Sequence, residues 1–257
     1  MPISRFVPFA LLTLFFSSIA YADVTEETFN TLLDSDSLSE QREAFKKIAS
    51  SPEQYVPLVR NRFVAIVKGQ LKPNVKSIDR LFYLAAFLKD KSLGAPMEAL
   101  WQDASFLPNY CLYWCPVVFA LTIYATSDLW TPPDNMNKSL PRHYDLYPEI
   151  RIASEISLEP IPLEQLKQKI MGIDRYLEEA SKKSERQLIY QAGRQTEDFK
   201  EREAAIFQLM YSVSSSKNLE DLYWLAIQEG KPDAGFEFKR ALYRAIYRAE
   251  KANRRGQ

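Results

Sequence analysis

The eight residues Arg80–Phe87, RLFYLAAF, belong to a pattern that returns along the chain at a fixed interval. Related segments begin at residue 42 (REAFKKIA) and at residue 118 (VFALTIYA), so the start positions 42, 80 and 118 differ by 38. Two further copies begin at residues 202 (REAAIFQL) and 240 (RALYRAIY), again 38 apart. A fixed period of this length is typical of proteins that stack one structural unit on the next.

Each copy places apolar residues at the spacing of one helical face. The first residue of each copy is position zero, so position two of the first copy is Ala44. Positions two, three, six and seven are apolar or aromatic in four of the five copies, and the copy at 202 has one polar exception, Gln208. The pattern predicts amphipathic helices, because residues three and four apart share a face. A second apolar helix follows at positions 17, 21 and 24 of three copies: Val59, Phe63 and Ile66; Met97, Trp101 and Ala104; Leu219, Tyr223 and Ala226. No segment alternates with period two, so we expect no sheet.

The paired helices resemble HEAT and armadillo-type repeats over residues 24–127 and 196–252. A HEAT repeat has an acidic residue six positions before an arginine, and Asp36 and Arg42 match this spacing. Partial or offset matches are Asn74 with Arg80, Thr196 with Arg202, and Asp233 with Arg240. The resemblance implies an all-α fold, a right-handed α-solenoid of about five helix pairs, in which these arginines are structural and form a polar ladder between neighbouring units.

A proline-rich stretch divides the repeats into two groups. Residues 128–160 include Pro132, Pro133, Pro141 and Pro148, and we expect them to form a connecting loop inserted into the array. Before this stretch, residues 23–127 would hold three helix pairs. After it, residues 161–257 would hold one long helix, from Pro162 to about Gln191, and then the C-terminal repeats. The long helix is predicted from apolar residues that fall on one face: Leu166, Ile170, Ile173, Leu177 and Ala180.

The first residues have the anatomy of a secretory signal peptide. Arg5 precedes a nearly continuous apolar run over residues 6–19, and Ala20-Tyr21-Ala22 forms a small-x-small cleavage site. An apolar run of about 14 residues is shorter than the roughly 20 that a spanning helix needs, and an uncleaved anchor is the alternative. We expect residues 1–22 to be removed and the mature chain, from Asp23, to be periplasmic, with secretion from the cell as the alternative.

The charge is nearly balanced overall but uneven along the chain. Without residues 1–22, 32 basic and 33 acidic side chains leave a net charge of −1, which gives no electrostatic reason to expect a nucleic-acid partner. The last 27 residues carry eight basic and three acidic side chains. Arg240, Arg244 and Arg248 recur there every four residues and form a candidate partner-binding stripe for an anionic partner. The alternative is the polar outer face of a terminal repeat, with Glu220 and Asp221 as neutralising neighbours.

Cys111 and Cys115 are the only two cysteines, and they precede the predicted start of a helix at Pro116. An isolated pair in an oxidising compartment favours a disulfide, while two free thiols or a redox or metal role stay open. A metal site would need further ligands, and His143 is the only histidine. Motifs for nucleophilic catalysis, phosphate binding and metalloproteases do not occur in the sequence, so we expect no catalytic, cofactor-binding or metal-binding residues and no enzymatic activity.

These observations favour a binding protein. Stacked helix pairs make extended surfaces for macromolecular partners, and we expect an exported, non-enzymatic scaffold or adaptor that binds another macromolecule of the cell envelope, in the first place a protein. The alternative is an envelope protein that binds an anionic lipid or a glycan, for which aromatic residues cluster around the cysteines and the loop: Trp101, Tyr110, Tyr113, Trp114 and Trp130. An enzyme that uses carboxylates alone is a third class, but no carboxylate pair stands out in the sequence.

Overall fold

The computed structural model describes residues 24–72, 74–102, 116–131, 162–170, 172–194, 198–228 and 236–255. These residues form twelve α-helices and no strand, which confirms the all-α prediction for this part of the chain. The helices are α1 (24–34), α2 (Leu38–Ser50), α3 (Val56–Val67), α4 (Val75–Leu88), α5 (Gly94–Gln102), α6 (Pro116–Thr126), α7 (Leu163–Lys169), α8 (Asp174–Ser181), α9 (Glu185–Gly193), α10 (Phe199–Ser212), α11 (Leu219–Gln228) and α12 (Phe236–Arg255). The signal-peptide, disulfide and proline-loop predictions concern residues 1–22, Cys111, Cys115 and 132–160, which lie outside the described residues.

The buried residues follow the 38-residue pattern. Positions two, three and six of the copies in α2, α4, α6 and α12 are all buried: Ala44, Phe45, Ile48, Phe82, Tyr83, Ala86, Ala120, Leu121, Tyr124, Leu242, Tyr243 and Ile246. Position seven is half-buried in each of these helices. The described members of the second helices are also buried, except for the half-buried Leu219. The predicted helices therefore form in the described ranges and bury these positions, although α6 is buried on all sides from Pro116 to Tyr124 and is not amphipathic.

The single long helix predicted from Pro162 to about Gln191 is wrong, because the chain forms α7, α8 and α9 there. Gly172 has a φ of 78° between α7 and α8, a left-handed conformation that interrupts a right-handed helix. Ser184 and Gln187 then form a capping box, in which each side chain accepts a hydrogen bond from the other residue's backbone N–H, and this starts α9. The apolar residues that suggested one face are nevertheless buried: Leu166, Ile170, Ile173, Leu177 and Ala180.

Helices from the two ends of the described chain pack against each other. In the first half α4 packs against α6, and α3 packs against α5. In the second half α10 contacts α8, α9 and α12, and α11 pairs with α12. Helix α11 also contacts α4 and α2, and its Tyr223 hydroxyl donates to the Ala86 carbonyl, 137 positions away in the sequence, at 3.0 Å. In an open solenoid each unit contacts only its neighbours, so these contacts go beyond the stacking that the repeat pattern predicts.

Candidate functional site

Helix α9 has one buried face and one exposed face. The helix packs against α10 and α11, and its buried side chains are Leu188, Ile189 and Ala192. The exposed face carries a row of basic and aromatic residues spaced by three or four positions, which starts just before the helix: Lys183, Arg186, Tyr190 and Arg194. Residues at this spacing lie on the same side of a helix. The apolar side chains of α9 therefore pack the helix against α10 and α11, and the basic and aromatic row lies on the exposed side.

The carboxyl end of α9 is held by side chains of the two helices behind it. Arg202 of α10 donates from Nε to the Ala192 carbonyl at 3.1 Å, and Gln228 of α11 donates from Nε2 to the Gly193 carbonyl at 2.6 Å. The last carbonyls of a helix have no partner within it, so these two bonds satisfy groups that would otherwise need water. A Cβ atom at Gly193 would lie 3.3 Å from Leu225 Cδ2, so glycine also permits close packing on α11. The exposed row therefore stands on a fixed support.

A groove with a volume of about 660 Å³ runs along the exposed row, and we call it the α9 groove. Its charged side chains are Lys183, Arg186, Arg194 and, from α10, Glu201. Three cations and one carboxylate give the described lining a net charge of +2. The volume lies within the roughly 300–1,000 Å³ that is usual for binding sites in proteins. The α9 groove is therefore of a size and charge that favour an anionic partner group.

The polar side chains of the α9 groove are organised by hydrogen bonds around Gln191. Lys183 donates from Nζ to the Gln191 amide oxygen at 2.6 Å. Gln191 donates from Nε2 to the Glu201 carboxylate at 3.3 Å. One amide thus joins the cation at the amino end of α9 to the carboxylate on α10. This arrangement leaves the carboxylate at the inner wall and the cations along the outer row.

Tyr190 is the aromatic centre of the row. It is 68% exposed, the highest value among the exposed large hydrophobic residues of the described chain. The guanidinium carbon of Arg194 lies 5.5 Å from the centroid of the Tyr190 ring, a cation–π contact. An exposed aromatic ring with an arginine against it is a common feature of protein interfaces, where tyrosine and arginine are enriched.

The three arginines of the basic stripe predicted on α12 differ in exposure. Arg244 is only 3% exposed, and its role in partner binding stays a prediction. Arg248 donates from Nε to the Val213 carbonyl at 3.1 Å and from Nη1 to the Met210 carbonyl at 3.2 Å. These carbonyls stand at the carboxyl end of α10, where acceptors lack partners inside the helix. Arg240 is half-buried, and its role in partner binding stays a prediction.

The acidic residues assigned to that stripe and to the HEAT ladder pair elsewhere. Asp221 forms an ion pair with Arg42 of α2, and the Arg42 guanidinium also lies 5.1 Å from the centroid of the Trp224 ring. Asp36, which the HEAT spacing assigns to Arg42, instead pairs with Lys76 at 3.3 Å on the surface. Arg42 therefore joins the first described repeat to α11 and does not form the ladder within its own repeat.

Arg80 and Arg202, which start two of the other copies, bind backbone carbonyls. Arg80 is buried and donates from Nη1 to the Leu33 carbonyl at 2.6 Å and to the Ser35 carbonyl at 3.2 Å. Arg202 is also buried and closes the end of α9. Each guanidinium supplies donors to the carboxyl end of a neighbouring helix, where a positive charge also opposes the helix dipole.

The aromatic residues proposed for a lipid or glycan site do not assemble into one in the described chain. Trp101 is buried in the core, and the half-buried Trp130 donates from its indole nitrogen to Glu98 Oε2 at 2.7 Å. The other members of that set lie outside the described residues: Tyr110, Tyr113 and Trp114.

Ionisable residues also meet in the interior between α4 and α12. Asp79 is 5% exposed, and its burial raises the pKa of the carboxyl to about 7, against the opposing effect of the cations Lys239 and Arg80. The hydroxyls of Tyr83 and Tyr243 share a short hydrogen bond nearby. Burial raises the pKa of Tyr243 above its ordinary range. These groups lie within the packed core and away from the α9 groove.

A second group of ionisable residues on α12 contains an ion pair between the half-buried Lys89 and the buried Glu250. Glu250 is 1% exposed and accepts a hydrogen bond from Lys89 Nζ at 2.7 Å. Its Oε1 also lies 2.9 Å from the oxygen of the Tyr223 hydroxyl, which shares its single hydrogen between this carboxylate and the Ala86 carbonyl. Lys89 itself ends α4 in a left-handed conformation, with a φ of 50°. The pair therefore ties the end of α4 to α12 and to α11 at one point.

Comparisons of the chain with protein-family models, with curated proteins and with solved structures give no match. No cluster of three or more histidine, cysteine, aspartate or glutamate side chains that could hold a metal ion occurs among the described residues. Every helix formed by the described residues is too short or too polar to cross a membrane.

Proposed function

We propose that the protein is an exported, non-enzymatic helical-repeat scaffold that binds another protein of the cell envelope through the α9 groove. The observation that carries the proposal is the exposed Tyr190 with the Arg194 guanidinium against its ring, on a helix fixed from behind by α10 and α11. Tyrosine and arginine are prominent among the residues that dominate the energy of protein interfaces. Export is supported by the signal-peptide anatomy of residues 1–22, and the relation to HEAT repeats by the 38-residue period.

The burial of the apolar face of α9 favours a protein partner over a lipid surface. A helix that lies in a membrane interface inserts its apolar face into the lipid. In α9 that face, which carries Leu188 and Ile189, already packs inside the molecule. A glycan ring that stacks on Tyr190 would have to share the aromatic ring with Arg194. A protein partner can bind without the apolar face of α9 and can contact the Tyr190 ring while Arg194 stays against it.

The polar groups of the α9 groove support binding more than catalysis. Glu201 is the one carboxylate in the described lining, and it accepts a hydrogen bond from Gln191. Enzymes that cleave glycans use a pair of carboxylates on opposite sides of the scissile bond. The remaining charged groups are lysine and arginine side chains, which attract anions.

Site-specific photo-cross-linking in intact cells tests the proposal. A benzophenone amino acid replaces Tyr190, and a matched control replaces Val67, which is 41% exposed on α3. We expect a discrete protein adduct from position 190 and none from position 67. Cross-links to lipid or glycan alone, or no adduct at either position, would show that protein binding at the α9 groove is wrong. Export has its own readout, since amino-terminal sequencing of the exported protein should begin at Asp23.

A further inference from the structure

The stretch of residues 56–76, which contains α3 and the turn after it, is basic throughout. It carries five basic side chains and no acidic one: Arg60, Arg62, Lys68, Lys72 and Lys76. Two of these cations have partners within the molecule. The Arg62 guanidinium lies 5.3 Å from the centroid of the Phe29 ring in α1, and Lys76 pairs with Asp36 at 3.3 Å. The other three define the charge of this part of the surface.

Arg60, Lys68 and Lys72 are exposed, and none of them forms an ion pair with a described carboxylate. Lysines on the neighbouring helix α2 are different, because an acid lies close to them in the sequence. Lys46, for example, pairs with Glu43 at 2.7 Å. A row of like charges without acids between them attracts an anionic partner and steers its approach. The three cations of the stretch are therefore available to such a partner.

Helix α3 holds Arg60 and Lys68 on its outer side. Its inner side packs into the core through buried apolar residues: Val59, Phe63 and Ile66. Lys68 follows the last residue of the helix and keeps a helical position, since its N–H donates to the Val64 carbonyl at 3.0 Å. Eight residues are just over two helical turns, so the two cations lie on the same side, about 12 Å apart along the axis.

The end of α3 is a closed turn with an exposed valine. The N–H of Gly69 donates to the Ile66 carbonyl and that of Gln70 to the Ala65 carbonyl, each at 2.9 Å, which is the Schellman pattern. Gly69 has the φ of 67° that this pattern requires. Val67, the last residue of α3, is 41% exposed. The turn therefore fixes an apolar side chain next to the cations.

The composition of this surface favours lipid headgroups over a protein partner. Lysine is depleted at protein interfaces, and its ammonium is strongly hydrated. At a bilayer the ammonium stays among hydrated phosphates while its apolar stem lies along the membrane surface. The exposed residues of α3 and its turn include no aromatic side chain, whereas the α9 groove centres on Tyr190. The apolar inner side of α3 stays in the core, so the contact consists of cations and one valine.

We infer that Arg60, Val67, Lys68 and Lys72 form a docking surface, the α3 face, that holds the protein against an anionic lipid bilayer. The three cations contact headgroup phosphates, and the Val67 side chain enters between the headgroups. The inference goes beyond the proposed function, because the α9 groove is lined by other residues and shares none with the α3 face. Substitutions can therefore alter one site without touching the other.

Co-sedimentation with lipid vesicles tests the inference. The purified exported protein is mixed with vesicles of equimolar phosphatidylglycerol and phosphatidylcholine, or of phosphatidylcholine alone. The triple variant Arg60→Gln/Lys68→Gln/Lys72→Gln should bind the anionic vesicles at least roughly tenfold more weakly than wild type, since each cation near the surface adds to the attraction. Added salt should weaken wild-type binding, and the neutral vesicles should bind neither protein.

A control variant removes the same charge elsewhere. Lys46→Gln/Lys47→Gln/Lys182→Gln changes three exposed lysines, on α2 and just after α8, and should bind the anionic vesicles like wild type. Both triple variants should unfold at the same urea concentration as wild type, which separates binding from folding. An equal loss of binding in the two variants would show that only the net charge matters and would overturn the inference.

Photo-cross-linking locates the contact. A benzophenone amino acid replaces Val67, and a matched control replaces Phe199, which is 43% exposed on α10. With the anionic vesicles we expect a lipid adduct from position 67 and none from position 199. Equal adducts from the two positions, or unchanged vesicle binding in the variant of the α3 face, would overturn the inference. So would a protein adduct from position 67 in envelope extract without any lipid adduct, which would assign the α3 face to an acidic protein.

Discussion

The hydroxyls of Tyr83 in α4 and Tyr243 in α12 are hydrogen-bonded to each other, although 160 positions separate them in the sequence. Both side chains are buried, and the Tyr243 ring stacks on Phe119 of α6 with centroids 4.4 Å apart and an interplanar angle of 16°. Buried hydroxyls need partners, and here each tyrosine supplies the other's. The bond therefore marks the place where the unit that starts at residue 80 meets the last described unit.

Removal of both hydroxyls should destabilise the protein by less than the sum of the two single removals. Tyr83→Phe removes the hydrogen bond between the two hydroxyls in the core, at an expected cost of about 1–3 kcal/mol in the free energy of unfolding. The double variant Tyr83→Phe/Tyr243→Phe should cost less than the sum of the two single variants, because both single variants lose the same hydrogen bond. Urea denaturation of the four proteins measures this coupling.

Tyr176→Phe is the matched control for this cycle. The Tyr176 hydroxyl lies on the surface, 3.5 Å from the Asp198 carboxylate, and its removal should leave stability within about 0.5 kcal/mol of wild type. Strict additivity of the two core substitutions would contradict the hydrogen bond.

Lys89 should contribute to the stability of the fold, because it is the cation that pairs with the buried Glu250. Lys89→Met leaves the Glu250 carboxylate in the interior without its cation, and the free energy of unfolding should fall by about 3 kcal/mol. Adding Glu250→Gln to this variant should restore part of the loss, since a neutral amide needs no counter-charge. Lys182→Met, which removes the cation of an exposed pair with Glu179, serves as the control and should unfold like the wild type. A Lys89 variant as stable as that control would show that the pair carries no such role.

Asp79 should make stability depend on pH. Its pKa is raised by burial to about 7 in the folded protein, whereas an aspartate in the unfolded chain has a pKa of about 3.9. Between these values the folded state binds more protons at this site than the unfolded state does, so the contribution of Asp79 to stability falls as pH rises. This contribution is fully present below about pH 4 and is lost as the pH passes about 7.

The variant Asp79→Asn isolates this effect, because the amide does not titrate. Relative to wild type, the variant should gain stability between pH 5 and pH 8, by a few kcal/mol at most. The groups that face Asp79 electrostatically are Lys239, Arg80 and Tyr243, and they are unchanged in the comparison. Parallel curves of unfolding free energy against pH for the two proteins would contradict a titration of Asp79 in this window.

Arg248 and Arg186 should behave differently although both are arginines on helices. Arg248→Met keeps the apolar stem but removes the donors to the Met210 and Val213 carbonyls, and it should cost about 1–3 kcal/mol of stability. Arg186→Met changes an exposed side chain and should stay within about 0.5 kcal/mol of wild type. Thermal and urea unfolding of the pair separate an interior role from a surface role. Equal stability of the two variants would show that the bonds of Arg248 to these carbonyls do not stabilise the protein and would favour the exposed basic stripe that the sequence suggests.

The sequence predicts the local part of this fold well. The recurrence of RLFYLAAF-like segments identifies buried faces such as Ala44, Phe45 and Ile48, because burial on a helix leaves a periodic trace. The pairing of Tyr83 with Tyr243 leaves no such trace, since a tertiary contact between distant helices depends on how the units stack. The same reason explains Arg244, whose burial depends on α10 and not on the polarity of its own helix.

Only part of the α9 groove could have been predicted from the sequence. The Ser184 and Gln187 capping box is readable as a helix start, and it would have divided the long helix predicted from Pro162. The row of Arg186, Tyr190 and Arg194 looks like any solvated helix face until the apolar side is seen to be buried and the groove to be open. The support that α9 receives from Gln228 is tertiary and has no signal in the sequence.

Tyr190→Ala separates binding from folding most directly. The ring is 68% exposed and contacts Arg194 on the surface, so its removal should leave the free energy of unfolding within about 0.5 kcal/mol of wild type. Retention of the envelope protein that position 190 cross-links should fall roughly tenfold on immobilised Tyr190→Ala, as expected for an anchor at the centre of an interface. Retention equal to wild type, with the variant correctly folded, would contradict protein binding at the α9 groove.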